Sequence, residues 1–281
     1  MSQPKTFGDT PRAPGPAPHP DIVWLNGGLM PAETVRIDPT DRGFTLGDGI
    51  FETIRADGGA PLHWDRHFAR LRLGARMLGL PIPATEAQLA EALVSVLAAN
   101  NLAGAALRLT LTRGPAPRGV LPPRQPHPTL LITAGPLPGR EVPARLMIAD
   151  RVRRNEFSPL CGIKSLNYGD NILARQLAAQ AGFDDALLLN TEGILAEATA
   201  ANVFLYIGDR WRTPALRHGA LPGIARGLLM ETGKAVEAPI TPTDIARAEA
   251  ALLVNSLSRR PVSEIAGRLL RLDLSAEFAR G

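Results

Sequence analysis

The amine of Lys164 is the side chain in this sequence with the clearest capacity for covalent chemistry. The 281-residue chain has 31 lysines and arginines, of which only Lys5, Lys164 and Lys234 are lysines. Lys164 stands in CGIKSLNYGDN, after an apolar, strand-like stretch and before a predicted helix. An amine can lose its proton and act as a nucleophile, whereas a guanidinium cannot. Because an isolated lysine is more often a solvated surface charge, Lys164 is a candidate that needs chemical partners.

Three further residues have the charge and setting that a lysine-bound, phosphate-bearing cofactor requires. Glu197, in ILAEATAANVF, is a carboxylate on a predicted strand of small and apolar residues. Its burial would be costly unless it is paired, so a solvent-facing glutamate on an edge strand is the other interpretation. Gly223, in LPGIARG, opens a predicted helix that either binds an anion or is an ordinary helix start. Arg70, in HFARL, either binds a phosphate or lies on the polar face of its helix.

Composition excludes several other classes of function. The formal net charge is only +4, and no basic run with interleaved aromatic residues indicates a nucleic-acid-binding surface. The single cysteine, Cys161, excludes an internal disulfide and a cysteine metal cage, and we interpret it as a small buried side chain. No segment has the apolar length of a signal peptide or membrane span. We therefore expect a cytoplasmic protein that binds no nucleic acid, membrane or metal.

The length and the distribution of proline and glycine predict two domains. Residues 1–20 are proline-rich and predict a disordered leader. Residues 21–134 predict a smaller α/β domain that begins with a hairpin at the Asn-Gly of IVWLNGGLM, and residues 144–281 predict a larger second domain. GPLPGREVP, residues 135–143, is the predicted linker. The expected fold class is α+β, with helices and mainly antiparallel strands in two lobes.

The elements that must position the reactive side chains can also be predicted. IFETI and ALRLTLTRG have the β-branched and apolar pattern of strands, and HWDRHFARLRLGARMLGL has spacings that suit a helix. LNYGDNILARQLAAQAG predicts a helix that begins at an Asn or Asp cap and is closed by Gly182. LPGIARGLLMETGKA predicts a helix opened by proline and glycine.

Several motifs resemble one enzyme family, in the same order along the chain. KSLNYGDNILARQLAAQAGFDDALLLNTEGILAEATAANVFL resembles the central part of the class IV aminotransferases, and DRGFTLGDGIFETIR and LPGIARG resemble two other stretches. This family includes branched-chain aminotransferases, D-amino acid transaminases and aminodeoxychorismate lyases. The resemblance covers nearly everything after the leader. It implies a two-domain fold-type IV architecture with a barrel-like C-terminal lobe, a homodimer, and pyridoxal 5′-phosphate (PLP) as the cofactor.

The resemblance also assigns roles to individual residues. Lys164 would form the Schiff base with PLP and move the proton between substrate and cofactor. Glu197 would pair with the pyridine nitrogen. Tyr168 would bind the phenolic oxygen, although it lies one residue nearer the lysine than in branched-chain enzymes. The phosphate would be bound by Arg70 and Ser256, and by the backbone of a helix start at Gly223, Ile224 and Ala225. Ala225 replaces the threonine that is common at its position.

Two loops bear on the choice of reaction. Arg118, in RGPAPRGVLPP, stands where D-amino acid transaminases have a carboxylate-binding arginine, but Val120 replaces their histidine. Phe51 replaces their tyrosine. The Arg-Gly pair at Arg118 is similar to the corresponding loop of some aminodeoxychorismate lyases. The loop VNSLSRRPV, with Asn255 and Ser256, resembles the Asn-Ser stretch of those lyases more than the Gly-Thr of branched-chain enzymes. The second loop is nevertheless one residue shorter than the usual lyase form.

The favoured interpretation is a 4-amino-4-deoxychorismate lyase that produces p-aminobenzoate and pyruvate. Its anionic substrate would be bound by arginines, for which Arg118, Arg55 and Arg259 are candidates, together with Phe51 and Asn255. The alternative is a transaminase acting on a D-amino acid or a branched-chain L-amino acid and a 2-oxo acid. A non-catalytic PLP-binding protein is a third possibility, which the intact pair of lysine and glutamate disfavours.

Overall fold

The computed structural model describes residues 21–139 and 142–280. The predicted leader, residues 1–20, lies outside these ranges, as do residues 140 and 141 of the predicted linker. Within the described ranges, no helix combines the length and the apolar character that a membrane crossing requires. The division into domains at 21–134 and 144–281 stays a prediction.

The first part of the chain forms a six-stranded antiparallel sheet in the order β2-β1-β6-β5-β3-β4, with helices packed on it. Its elements are β1 (Ile22–Leu25), β2 (Gly28–Pro31), α1 (Arg42–Leu46), β3 (Gly49–Asp57), β4 (Ala60–Pro61), α2 (Trp64–Leu78), α3 (Glu86–Ala99), β5 (Ala105–Thr112) and β6 (Thr129–Gly135). The predicted hairpin is confirmed, because Asn26 and Gly27 make the turn between β1 and β2 with positive φ angles of 48° and 111°.

The core of this part lies between the sheet and helices α2 and α3. Leu107, Leu109 and Leu111 alternate along β5, are fully buried, and belong to one apolar cluster with Leu89 and Leu93 of α3. Alternate residues of a strand point to opposite faces, so these leucines leave the other face of β5 for different contacts. That other face is directed away from the helices and towards the second sheet.

The rest of the chain forms a nine-stranded mixed sheet. Its strands are β7 (Ala144–Arg154), β8 (Asp185–Asn190), β9 (Leu195–Ala198), β10 (Asn202–Tyr206), β11 (Trp211–Pro214), β12 (Ala235–Ala238), β13 (Ala250–Val254), β14 (Arg259–Ile265) and β15 (Arg268–Leu269). Its helices are α4 (Gly169–Gln180), α5 (Ile224–Glu231), α6 (Pro242–Arg247) and α7 (Leu272–Arg280). Short 3₁₀ helices lie at Pro159–Gly162 and Leu216–His218 in this part, and at Ala32–Thr34 in the first part.

Strand pairing in the second sheet is partly parallel. The pairs β11–β12, β14–β7 and β7–β8 are parallel, and the others are antiparallel. The strands are apolar on both faces: Val203 and Leu205 of β10 pack in one cluster, while Phe204 between them packs in another. Burial on both faces explains why these strands read as continuous apolar runs in the sequence.

A short backbone contact joins the two parts of the molecule beside Lys164. The amide of Phe51 donates to the carbonyl oxygen of Lys164 at 2.9 Å, and the amide of Leu166 donates to the carbonyl oxygen of Gly49 at 3.0 Å. A β-carbon on Gly49 would lie 2.6 Å from the carbonyl oxygen of Leu111 and 2.8 Å from Cδ1 of Leu166. The strands approach this closely because position 49 has no side chain.

We predict that Gly49→Ala lowers the free energy of unfolding by about 2 kcal/mol, because a backbone oxygen and the lysine segment must both move to admit the methyl group. Urea denaturation of the full chain measures the change. Gly104→Ala is the matched control: its added β-carbon would make only ordinary contacts at 3.7 and 3.9 Å, so its effect should stay within about 0.5 kcal/mol. Equal losses in the two variants would contradict the close approach at Gly49.

Candidate active site

A cavity of about 460 Å³ lies where the two sheets meet, with residues of both in its wall. Its volume is within the range of small-molecule sites in proteins. Phe51 and Thr53 come from β3 of the first sheet, and Val254 comes from β13 of the second. Most of the residues predicted from the sequence line this cavity: Phe51, Arg70, Lys164, Tyr168, Glu197, Gly223, Ile224, Asn255 and Ser256.

Lys164 extends its amine into the cavity from the segment that pairs with β3. Its Nζ donates to the Tyr168 hydroxyl oxygen at 3.1 Å and lies 4.4 Å from the centroid of the Phe51 ring. Burial, and secondly the positive charge of Arg70, lower the pKa of Lys164 to about 8. About a tenth of the amine is therefore unprotonated at pH 7, far more than for an ordinary lysine, and the unprotonated form is the one that acts as a nucleophile or a general base.

Tyr168 stands at the start of α4 and holds its hydroxyl beside the amine. Tyr168 is itself the N-cap residue and makes no side-chain capping bond, so the predicted Asn or Asp cap of this helix is wrong. Its ring packs edge-on against Phe51, with centroids 5.1 Å apart. Burial and the nearby Glu197 carboxylate raise the pKa of Tyr168 to about 12, so the phenol keeps its proton and can donate a hydrogen bond.

Glu197 is a buried carboxylate, which excludes the solvent-facing interpretation. It lies on β9, where every residue is buried, and is itself 6% exposed. One oxygen accepts from the amide of Leu221 at 2.9 Å, and the other is 3.1 Å from Nε of Arg154. Burial raises the pKa of Glu197, while Arg154 and the Leu221 hydrogen bond oppose that rise. Such a carboxylate is suited to bind a protonated ring nitrogen.

The start of α5 and Arg70 form an anion-binding corner of the cavity. Gly223 is the N-cap of α5, and a β-carbon there would overlap the side-chain oxygen of Asn202. The first N–H groups of a helix have no partner within it, so they attract anions. Arg70 is buried on α2, and its Nη1 donates to the carbonyl oxygen of Pro222 at 3.0 Å. Ser256 lines the same cavity.

Asn255 lines the cavity but uses most of its side chain to shape its own loop. Its Oδ1 accepts from the amides of Leu257 and Ser258, at 2.9 Å each, and its Nδ2 lies 3.4 Å from the carbonyl oxygen of Ala200. The loop after β13 therefore turns sharply at Asn255. Contact between Asn255 and the substrate stays a prediction.

Four predicted residues do not line the cavity. Arg118 is exposed in the loop after β5 and lines a separate surface depression. Arg55 donates to the carbonyl oxygen of Leu257 at 3.1 Å and lines a neighbouring cavity of about 270 Å³. Ala225 lines that neighbouring cavity too, and the resemblance implies a role for its backbone alone. Arg259 is exposed and donates to the carbonyl oxygen of Ala279.

Arg108 is a cavity residue that the sequence reasoning missed. It lies on β5, on the face opposite the buried leucines, and its guanidinium carbon is 3.9 Å from the centroid of the Phe51 ring. Its Nε donates to the Thr110 hydroxyl at 3.3 Å, and burial lowers the pKa of Arg108. The available signal was a single charge inside the strand ALRLTLT, which does not stand out in an arginine-rich chain.

The residues of this cavity fit PLP. The amine of Lys164 can bond to its aldehyde, the Glu197 carboxylate can pair with its ring nitrogen, and Arg70 with the α5 start can bind its phosphate. The absence of a side chain at Gly223 lets Asn202 pack against the start of α5, since a β-carbon there would overlap the Asn202 side-chain oxygen. Among the residues that the structure describes, no group of three His, Cys, Asp or Glu side chains could hold a metal ion.

We predict that the reactivity of Lys164 in the cofactor-free protein follows its lowered pKa. Acetylation of Lys164 at low reagent concentration, followed by mass spectrometry, should rise about tenfold per pH unit and level off near pH 8, because only the unprotonated amine reacts. Free N-acetyl-lysine methylamide in the same tube is the control and should continue to rise to about pH 10.4. Parallel curves for the two amines would contradict the effect of burial.

Comparison with known proteins places the chain in a family. The model of the class IV aminotransferases matches residues 49–265. The D-alanine aminotransferase of Listeria monocytogenes is 31% identical over 258 residues, which cover 87% of this chain and 88% of that enzyme. The branched-chain aminotransferase of Thermoproteus uzoniensis, solved with norvaline, superposes with a TM-score of 0.86 at 26% identity, over 92% of each chain.

A solved 4-amino-4-deoxychorismate lyase from Pseudomonas aeruginosa also superposes, with a TM-score of 0.78 and 28% identity. It covers 91% of this chain and 96% of its own. The predicted fold-type IV architecture is thereby confirmed. The chain belongs to the class IV aminotransferases, a family of PLP-dependent enzymes.

Proposed function

We propose that this chain is a 4-amino-4-deoxychorismate lyase that releases p-aminobenzoate and pyruvate. The observation that carries the proposal is a second cation beside the reacting amine. Arg108 and Lys164 both lie against the ring of Phe51, at 3.9 and 4.4 Å from its centroid. The proposed substrate has two carboxylates, and a guanidinium can bind a carboxylate through two hydrogen bonds. In this proposal Arg108 binds one substrate carboxylate within reach of Lys164.

The side chains of the site then have distinct tasks. The bound cofactor supplies an electron sink for the bond changes at the carbon that carries the substrate amine. Lys164 Nζ takes the proton from that carbon, a task that suits a pKa of about 8. Enolpyruvate leaves the neighbouring carbon, which makes the ring aromatic, and becomes pyruvate when it takes up a proton. Glu197 pairs with the pyridine nitrogen of the cofactor, and Tyr168 donates a hydrogen bond to the phenolic oxygen of the cofactor.

The loop at Asn255 supports the same substrate class. The turn held by the Asn255 side chain brings Ser256 and Leu257 to the cavity wall. The Asn-Ser pair in this loop is similar to that of aminodeoxychorismate lyases, and the likeness to the Pseudomonas aeruginosa lyase extends over most of the chain. These observations support the lyase.

A transaminase is the alternative, and the apolar side of the cavity favours it. Leu166, Ile172 and Val254 lie in the wall and could contact an apolar side chain of an amino acid. The 31% identity to a D-alanine aminotransferase supports the D-amino acid form of this alternative. Against that form, Val120 stands in place of the histidine of D-amino acid transaminases.

A paired assay distinguishes the two reactions. We predict that the purified holoenzyme converts 4-amino-4-deoxychorismate to p-aminobenzoate and pyruvate, and forms no glutamate from 2-oxoglutarate with D-alanine or L-leucine. Chromatography of p-aminobenzoate and an enzymatic assay of glutamate measure the two products. Glutamate formation with no p-aminobenzoate would replace the lyase with the transaminase.

The same assay tests the role of Arg108. The Arg108→Gln variant should raise KM for 4-amino-4-deoxychorismate at least about tenfold, because one charge-assisted contact is worth about 1.5 to 3 kcal/mol. Arg145→Gln is the matched control, since Arg145 is exposed, pairs with Glu264 and does not line the cavity, and the KM of this variant should stay within about twofold of the wild-type value. Equal increases in both variants would show that Arg108 has no specific contact with substrate.

We also propose that the chain forms a homodimer through the face that carries the Arg118 loop. Phe44, Val120 and Leu121 are large apolar residues that are each at least 80% exposed. Arg42 connects them, since its Nη1 and Nη2 donate to the carbonyl oxygens of residues 119 and 120 at 2.7 and 2.8 Å. Exposed apolar residues on an ordered loop are typical of a surface that another chain covers. A second copy of this chain is the proposed partner.

Sedimentation velocity tests this assembly. The wild-type protein should sediment at twice the 29.9 kDa mass of one chain, and the double substitution Val120→Glu and Leu121→Glu should shift it to the single-chain mass. The reason is that two charged residues in an apolar interface lose their hydration without gaining partners. Leu269→Glu, at an exposed leucine remote in sequence, is the control and should remain dimeric. A single-chain mass for the wild type would contradict the proposal.

A further inference from the structure

Behind the anion-binding corner, Glu52, His67 and Arg70 form a buried cluster. Glu52 is fully buried, His67 is 1% exposed and Arg70 is 8% exposed. Nε and Nη2 of Arg70 donate to the two carboxylate oxygens of Glu52 at 2.9 and 2.7 Å. Nδ1 of His67 lies 2.7 Å from one of the same oxygens. Such a cluster is expensive to bury, so its role requires an explanation.

Glu52 stands outside the cavity although its chain neighbours line it. Phe51 and Thr53 are in the cavity wall, and the alternation of β3 directs Glu52 to the opposite face, beneath α2. His67 and Arg70 are three residues apart on α2 and therefore share one face of that helix. Glu52 and His67 thus act on a ligand in the cavity only through Arg70.

The cluster fixes the orientation of the Arg70 guanidinium. Its Nε and Nη2 are held side-on by Glu52, and its Nη1 donates to the carbonyl oxygen of Pro222, directly before the start of α5. These contacts use three of the five N–H groups of a guanidinium and leave two, one on each terminal nitrogen. A long arginine side chain loses much of its freedom in this arrangement before any ligand binds.

The charge of Glu52 is maintained despite its burial. Burial alone would raise the pKa of Glu52, but the hydrogen bonds and charges of Arg70 and His67 outweigh burial and hold the pKa below its ordinary value. The carboxylate is consequently ionised at neutral pH and makes charge-assisted hydrogen bonds to the guanidinium. His67 Nδ1 contacts the same carboxylate oxygen that accepts from Nη2 of Arg70.

We propose that Glu52 and His67 are positioning residues that hold the guanidinium of Arg70 ready for the phosphate of the cofactor. This inference rests on the proposed binding of the PLP phosphate by Arg70. The bidentate carboxylate defines the plane of the guanidinium, and Pro222 ties that plane to the helix start where the phosphate is bound. Binding then requires little further ordering of the side chain, which increases affinity for the phosphate.

The comparison of PLP with pyridoxal, which lacks the phosphate, tests this role. Full-length protein freed of cofactor is titrated with each compound, and dissociation constants are measured from absorbance. Glu52→Gln should raise the dissociation constant for PLP at least about tenfold, while that for pyridoxal stays within about twofold, because the charge-assisted contacts to Arg70 are lost. The ³¹P resonance of bound PLP should shift in the same variant.

Asp48→Asn is the matched control. Asp48 is a carboxylate of the same sheet region that binds two arginines, Arg42 and Arg113, with Nε to oxygen distances of 2.7 Å, and it does not line the cavity. Its loss should leave the ratio of the two dissociation constants unchanged. A Glu52→Gln protein that weakens PLP and pyridoxal equally, or weakens neither, would overturn the inference.

Two variants of His67 keep the test decisive if Glu52→Gln fails to fold. His67→Asn retains an N–H donor near the position of Nδ1 and should preserve the preference for PLP, whereas His67→Leu should reduce it about threefold or more. If the ratio of the dissociation constants for pyridoxal and PLP is the same in His67→Asn and His67→Leu, the inference is overturned. Arg70→Gln separates the underlying proposal: if it keeps the full preference for PLP, Arg70 does not bind the phosphate. If Arg70→Gln loses the preference for PLP while the variants of Glu52 and His67 keep it, Arg70 binds the phosphate and only the positioning role of Glu52 and His67 fails.

Discussion

The backbone pairing between β3 and the segment at Lys164 is the constraint on which the site depends. Two hydrogen bonds, from Phe51 to Lys164 and from Leu166 to Gly49, fasten the segment between β7 and α4 to the first sheet. They set the amine of Lys164 over the Phe51 ring, where Tyr168 and Arg108 also converge. If this contact moved, the lysine would lose its alignment with groups that come from both sheets.

The charges around the cavity are fixed by the protein itself. Glu197 is held by Arg154 and a backbone amide, and Arg70 is held by Glu52 and a carbonyl oxygen. Preorganised groups of this kind need no rearrangement when a charged ligand arrives. The same burial that fixes these charges makes the protonated amine of Lys164 costly, which lowers its pKa towards neutral. Cofactor binding and lysine reactivity therefore have one physical cause.

The parts of the site that could be predicted from the sequence are those whose residue types are unusual for their local sequence. Lys164 is a rare lysine, Glu197 is a carboxylate in an apolar strand, and Gly223 follows a proline at a helix start; the structure brings all three to one cavity. The hairpin and the helix at Gly223 are set by local turn chemistry, so they were predictable as well. Parallel strand pairs were not, because the partner of a strand is chosen by tertiary packing. Arg108 was not predictable because its place in the cavity depends on which face of β5 the helices cover.

The attachment of the cofactor to Lys164 is the central claim, and one chemical experiment tests it most directly. The holoenzyme is reduced with borohydride, digested, and analysed by mass spectrometry, with particular attention to the peptides that contain Lys5, Lys164 and Lys234. Reduction converts a lysine-bound PLP into a stable phosphopyridoxyl group on that lysine. We expect this group on Lys164 alone. A phosphopyridoxyl group on either of the other lysines, or on none of the three, would contradict it.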